Sequence, residues 1–561
     1  MSRQSERLFA AMNDIDDKSI DEAAEGLTKR KTPLRRWMGI AAALFLVAGA
    51  GFLFLLPWGG GGSGGSGSND ASTFMSYAGP VMPLTLREAN DSISAQRDIT
   101  LDFAPWVPVW VSNEEEAASR EGLTEEERQA VLDDWNRWYP EGGRYEYTND
   151  ILVTDAYTLT NTSGQEQTVS VLYPFAASLQ TLGSRVDGQK TEMAEERLPT
   201  MTLDGREVET VLHAGSYSGG FNGAWGSRRE GLPELNLAQA ESWEAYRAVL
   251  SDGTYQAGAL GDFPDLSGIP VVVYEFFDPW EDPLGPRMDE GIRPSVSASF
   301  ILESGKTSVL TTGFHGGSWD METGEMTQGF TIPMENLAGN RDRYRLVVLG
   351  EDIRELTATV YGTTRQEDDE VIEGVEVPVQ RTESDLETVL REIAGEDYRW
   401  LDWIGAADFE LFFGLLKDEL AAYYDILSDD PAARYADVWI SESDLDFWHV
   451  DRVFYLEAEV TIPAGESVIL TAEMLKAASF DFNCANTKNR DVYGYDMMTE
   501  LGSKLLCTGQ SAHLEDRGQI KIVRQNFGFD LKTGVKTVEL DRLEEHYYLE
   551  VKRAASAKPT Y

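Results

Sequence analysis

The side chains able to do acid–base or nucleophilic chemistry are abundant in one class and scarce in the others. Asp and Glu together number 96, against five histidines (His213, His315, His449, His513 and His546) and two cysteines (Cys484 and Cys507). No two histidines stand at the spacing that lets a helix offer both to one metal, and no HExxH, Walker loop or dinucleotide fingerprint occurs. The run GSYSGG from Gly215 has the glycines of a nucleophile elbow but carries Tyr217 where the serine belongs, so it reads as a loop. Cys484, Cys507 and His513 lack zinc-ligand spacing. The acidic runs Ser441–Asp446 and Glu367–Glu373 lack the alternating ligands and glycine of a calcium loop and read as solvated faces. A glycosidase needs two carboxylates facing one cleft, and so many acids nominate no pair. A protein that is not an enzyme, with no metal and no cofactor, is therefore expected.

Recognition has better material. Two glycine-rich segments carry aromatics, SGGFNGAWGS (Ser218–Ser227) and GFHGGSWD (Gly313–Asp320). Phe221, Trp225, Phe314 and Trp319 on such loops are candidate platforms for a sugar or peptide; the competing reading is that they cap the end of a β-sheet core. Cys484 and Cys507 are candidates for one disulfide around Tyr493 and Met497, and the spacing leaves open whether they pair.

The elements that position these residues begin with a membrane segment. From Trp37 to Trp58 the chain reads WMGIAAALFLVAGAGFLFLLPW, without a charge and with tryptophan at each end. About 20 apolar residues in a helix span a bilayer core, and tryptophan favours its interfaces. Lys29, Arg30, Lys31, Arg35 and Arg36 precede the stretch, and the first basic residue after it is Arg87. The positive-inside rule then puts residues 1–36 in the cytoplasm and the bulk of the chain outside the cell membrane. A cleaved signal peptide would have a shorter charged region and a shorter apolar run, so an uncleaved anchor is expected. Small residues at Gly39, Ala43, Ala48 and Gly51 would let two such helices approach closely.

Residues 59–70 form a Gly/Ser linker, GGGGSGGSGS at its core, with a root-mean-square span of roughly 18 Å if it behaves as a coil. Before the anchor, Leu8, Met12 and Ile15 recur at helical spacing, as do Ile20, Ala23, Ala24 and Leu27, and Ser19 with Glu22 has capping-box spacing. Two short amphipathic helices are expected, too small to bury their own apolar faces. They either fold against a cytoplasmic partner or form an unstructured leader.

Beyond the linker the patterns are mainly β with helical insertions, an α+β chain. Strands are expected at Ile99–Phe103, in a hairpin within ILVTDAYTLTNTSGQEQTVSVLYPF, at the Asp204-Gly205 turn, and at Val271–Phe276, Ser295–Leu302, Ser308–Thr312, Arg345–Leu349 and Ala358–Tyr361. In the hairpin Val153, Tyr157 and Leu159 share a parity that Asp155 interrupts. Thr124 is the expected N-cap of a polar helix ending by Pro140. From Ser384 to Leu427 the apolar period is helical; FYLEAEVTIPAGESVILTAEM and HYYLEV return to β. The expected organisation is a tail (1–36), a transmembrane helix (37–58), the linker (59–70), a β-rich region (71–375), a helical insertion (376–430) and a C-terminal β-rich region (431–561), the outer part forming two β-sandwich-like modules. The net charge of −48 argues against nucleic acid as a partner, because phosphate contacts need clustered Lys and Arg.

The stretch LFAAMNDIDDKSIDEAAE, the basic run and single anchor after it, and the C-terminal segments YGYDMMTELGSKL, IVRQNFGFDLKTGVKTVELD and EHYYLEV resemble a group of Gram-positive single-pass membrane proteins of anti-sigma-factor type. The resemblance covers mainly the tail and the C-terminal third. It implies that Leu8, Met12, Ile15, Asp16, Asp17 and Ile20 contact a sigma factor and that the outer domain reads an envelope signal. The tail has neither His nor Cys, so the zinc-type anti-sigma mechanism is absent and any sigma contact would be made by amphipathic helices. The alternative expectation is a cell-surface binding module for glycan or peptide, with the tail serving only as anchor and the outer ligand unknown.

Overall fold

The computed structural model describes residues 79–555, apart from 121–123, 178, 183–184, 187–188, 191–197, 216–242, 251–254, 278–292, 304, 315, 321–322, 332–342, 364–369, 399–407, 429–436, 441–451 and 482–488. These residues all belong to one compact unit, Gly62–Tyr561. The tail, the stretch 37–58 and the Gly/Ser linker lie outside them. Among the described residues no helix is long and apolar enough to cross a membrane. Of the described residues, strands make up 49% and helices 17%, so this part of the chain is mainly β.

A seven-stranded sheet runs in the order Arg206–Glu207, Thr200–Leu203, Ser467–Lys476, Ile151–Asn161, Ile93–Asp102, Leu506–Glu515, Thr537–Glu539. A four-stranded sheet runs Thr85–Leu86, Gln167–Ala177, Arg452–Ile462, Val211–Ala214. Their apolar faces meet in one core holding Val153, Tyr157 and Leu159 from the first and Phe175, Leu456 and Val460 from the second. The Tyr173 hydroxyl reaches Met474 Sδ, 3.9 Å away, from one sheet to the other.

This pairing corrects the expected boundary at 431. Strands on both sides of it alternate within single sheets, so residues 431–561 do not fold as a separate C-terminal region. The expected hairpin is corrected as well. Ile151–Asn161 and Gln167–Ala177 go to different sheets, and the NTSGQ turn is a corner between layers. Ile462–Ser467 makes the same passage, and the two corners stack. Asn161 pins them: its Nδ2 donates to Gln165 O (2.7 Å) and Ile462 O (3.0 Å), and its backbone N–H donates to Glu466 O (3.0 Å).

Two further five-stranded sheets form an insertion. One is Val379–Asp385, Pro270–Phe276, Tyr344–Gly350, Thr307–Thr312, Asp437–Trp439; the other is Gly316–Trp319, Glu325–Thr331, Arg293–Ile301, Arg354–Thr363, Glu370–Val371. Within Tyr344–Gly350 the run LVVL at 346–349 is continuously apolar because the strand is covered on both faces. Val347 and Leu349 enter the main core beside the helices Leu386–Tyr398 and Phe409–Asp418, whereas Leu346 and Val348 enter a second core with Phe300 and Phe330. Arg345, on the helix side, pairs with Glu396 at 3.0 Å. The last four-stranded sheet, Phe480–Asp481, Tyr493–Met498, His546–Arg553, Ile520–Gln525, closes the chain.

Asp155 interrupts its strand's alternation because it faces inward, toward Arg97. Both side chains are fully buried, and the pair is bidentate: Arg97 Nε to Asp155 Oδ1 and Nη2 to Oδ2, each 2.8 Å. Arg97 Nη1 donates to Met498 O at 2.8 Å, and the Tyr157 hydroxyl donates to Asp155 Oδ2 at 2.9 Å while accepting from Leu84 N–H at 2.9 Å. Burial opposes the Arg97 charge, but Asp155 outweighs it and holds the guanidinium protonated. Breaking such a pair from one side strands a buried charge. Asp155→Ala is expected to lower unfolding stability by about 3–5 kcal/mol in urea titration, with Arg97→Met/Asp155→Leu recovering most of the loss.

Candidate ligand-binding surface

Of the four aromatics expected from sequence, Phe314 and Trp319 are among the described residues, and the structure places them differently. Phe314 is no platform: it is 3% exposed and packs edge-on against Phe276 and Phe330 in the core of the insertion. Gly313 turns it inward at φ +81°, where a Cβ would lie 2.7 Å from Arg343 O. Trp319 is 37% exposed at the end of the edge strand Gly316–Trp319. Phe221, Trp225 and the tail residues Leu8, Met12, Ile15, Asp16, Asp17 and Ile20 lie outside the described residues. Cys507 is a free, buried thiol whose pKa is pushed up by that burial, and Cys484 lies outside the described residues. Among the described residues no group of three or more His, Cys, Asp and Glu is placed to hold a metal ion.

Two polar clusters bring together residue types used in catalysis. In the first, His546 Nε2 lies 2.7 Å from Asp496 Oδ2, the Ser479 hydroxyl donates to Asp496 Oδ1, and Lys476 Nζ donates to Ser479 Oγ at 3.0 Å. Here the carboxylate stands between hydroxyl and imidazole. Nucleophilic catalysis needs the base beside the hydroxyl, with the carboxylate behind the base. The cluster is buried and does a different job. Lys476 Nζ also donates to Gly79 O at 2.5 Å, and Val81 pairs with the backbone of Asp496 and Met498 (2.9 Å each). Residues 79–86 are all buried, so this segment is built into the core.

In the second cluster Glu457 accepts from Arg87 Nη1 at 2.7 and 2.8 Å and from Ser170 Oγ at 2.5 Å, with His213 Nε2 2.7 Å away. Burial alone would raise its pKa, but the hydrogen bonds from Ser170, Arg87 and His213 outweigh it and hold the carboxyl below its usual range. With every oxygen engaged it is poorly placed to act as a base.

The exposed apolar surface is concentrated elsewhere. Of the six exposed aromatic side chains among the described residues, Trp110, Trp138, Tyr145 and Tyr147 fall within residues 107–147, so one short module carries most of the aromatic surface. It consists of the hairpin Val109–Ser112 and Gly143–Glu146 around the helices Asn113–Ser119 and Glu125–Trp138. Thr124 caps the long helix through a capping box with Glu127, as its spacing predicts. Asn113 fastens that helix to the hairpin, donating from Nδ2 to Asn136 Oδ1 and Tyr139 O at 2.9 Å each. Arg144 reaches Glu116 at 2.6 Å and lies over the Trp135 and Tyr139 rings, 4.6 and 4.8 Å from their centroids. The helices therefore cover the Arg144 face of the hairpin.

The opposite face carries Trp110 and Tyr145, directly paired across the strands with ring centroids 5.0 Å apart, edge to face. Gly143 lies under the indole: a Cβ there would sit 2.7 Å from the Trp110 ring and nearer still to the Val111 carbonyl. Trp110 is thus held in one orientation while remaining 42% exposed. Beside it, Arg553 is stacked between Trp106 and Tyr147, 4.6 and 4.2 Å from the ring centroids. The available sequence signal is VPVWVS, an uncharged run that ends one residue before three glutamates. No protein-family model matches the chain, and no curated protein matches its sequence.

Two outcomes follow. Gly143→Ala is expected to shift tryptophan fluorescence by displacing Trp110 and to cost about 1–3 kcal/mol in urea unfolding, whereas Trp110→Ala should cost under about 1 kcal/mol. A depressed folded-state pKa stabilises above the ordinary glutamate value of about 4.3 and is lost as pH falls through the folded value. The stability gap between the wild type and Glu457→Gln should therefore be widest near neutrality and close as the solution is acidified below about pH 4.

Proposed function

We propose that this chain is a single-pass membrane regulator of anti-sigma type, with its tail in the cytoplasm binding a sigma factor and an acidic outer domain sensing an envelope signal. The outer domain is read as two sandwich-like modules, one inserted into the other. The observation carrying the proposal is the uncharged stretch Trp37–Trp58, flanked by five basic residues on one side only. The buried segment 79–86 supports it, because a tether attached there is coupled to the core rather than to a surface loop. The proposal places no catalytic group in the outer domain.

A second reading, a cell-surface binding module whose tail is only an anchor, is favoured by the exposed aromatics of residues 107–147. It differs from the first in what lies inside the cell. A pull-down with residues 1–36 is expected to recover a sigma factor, and Leu8→Asp/Ile15→Asp should lose it by removing the apolar stripe. Recovery of no sigma factor would favour the anchor-only reading.

A further inference from the structure

The hairpin of the aromatic module has an open side. Val109–Ser112 pairs with Gly143–Glu146, and neither edge of this two-stranded sheet is joined by a further strand among the described residues. The ladder continues into the bond from Asn113 N–H to Gly142 O (3.0 Å), in register with the Val111–Arg144 and Val109–Glu146 pairs. Hydrogen-bonded pairs alternate along an antiparallel ladder, so the main-chain N–H and C=O of Trp110 and Ser112 point away from the partner strand.

Edge strands are commonly guarded by charges, above all lysine, because unpaired main-chain groups recruit other strands. Residues 107–112, VPVWVS, carry no charge in a chain with 26% charged residues. Val109 is 62% exposed beside the fixed Trp110–Tyr145 face. The charges that surround this edge are mainly acidic: Glu114 and Glu115 are exposed directly after the strand, and Glu146 ends its partner. The module's Arg144 is engaged by Glu116 and Glu146.

We infer that the open edge of Val109–Ser112 accepts an extended polypeptide segment bearing apolar and basic residues, which joins the hairpin as a third strand. Main-chain hydrogen bonds to Trp110 and Ser112 supply affinity, Trp110 and Tyr145 receive alternate apolar side chains, and Glu114 and Glu115 select lysine or arginine. A sugar would use the aromatic faces but not the edge, and a second copy of this chain would meet the same acidic residues. The inference names the ligand for the binding-module reading and rests on that reading; it is independent of what the tail does.

The test uses the full chain in detergent micelles and a fluorescent peptide of alternating valine and lysine, read by anisotropy. The same peptide with alternate main-chain nitrogens methylated keeps its charge but cannot donate, so it separates strand addition from attraction to an acidic protein. Saturable binding is expected, weakened about tenfold or more by that methylation, by replacing lysine with glutamate, by Val109→Lys and by Trp110→Ala. Both variants should remain folded, with unfolding stabilities within about 1 kcal/mol of the wild type. Equal binding of the methylated peptide, or unchanged binding by both variants, would overturn the inference. Binding of an N-acetylglucosamine oligomer instead, lost in Trp110→Ala, would overturn it while sparing the binding-module reading. Self-association abolished by Val109→Lys, without peptide binding, would make the occupant a second copy and overturn it too. Binding of neither probe, with no self-association, would remove both the inference and the reading beneath it.

Discussion

A guanidinium and a carboxylate buried together in an apolar core are stable only while they remain paired and their remaining polar atoms are engaged. Arg97 and Asp155 impose that condition here. Their partners come from far along the chain: Met498 lies 401 residues from Arg97, and Leu84 lies 73 residues from Tyr157. The polar network can be complete only when the leading segment, the first long strands and the C-terminal third are assembled at once. The strand order of the seven-stranded sheet enforces the same condition, since Ser467–Lys476 and Leu506–Glu515 flank Ile151–Asn161 and Ile93–Asp102.

This interleaving bears on how a tethered domain would report. Residues 79–86 are held by Lys476, Ser479, Asp496, Ser503 and Lys504, all from the C-terminal third. Force applied at Gly79 would load the assembled core rather than peel off a terminal strand. The module at residues 107–147 is differently built. Trp106 at its base belongs to the main core, but its hairpin and helices carry exposed aromatics on a frame fixed by Asn113 and Arg144. A rigid base with an exposed, preformed face is an economical arrangement for recognition, because little ordering remains to oppose binding.

Local physics was legible in the sequence. Thr124 announced a helix start, Asp204-Gly205 a two-residue hairpin with both residues at positive φ, and the strands at Val271–Phe276 and Tyr344–Gly350 emerged close to where their apolar runs lie. Pairing was not legible. Whether a short turn such as NTSGQ makes a hairpin or a corner depends on Ile462 and Pro463, 301 and 302 residues away from Asn161. Asp155 was visible as an interruption, but its reason required Arg97 on a neighbouring strand. Phe314 is overturned as a platform for a related cause: glycine near an aromatic suggested exposure, while Gly313 instead turns that ring inward. Trp110 gives little sequence signal because its setting is an ordinary strand, distinguished only by missing charge.

The interleaved strands make one cooperative unit that joins the two ends of the described chain. Native-state hydrogen exchange under increasing denaturant measures this directly, because amides that open in the same event converge on one free energy. The amides of Ile151–Asn161, Arg452–Ile462, Ser467–Lys476 and Leu506–Glu515 should converge together at the global unfolding free energy. A C-terminal third that opened at a distinctly lower free energy, leaving Ile93–Asp102 and Ile151–Asn161 protected, would contradict it.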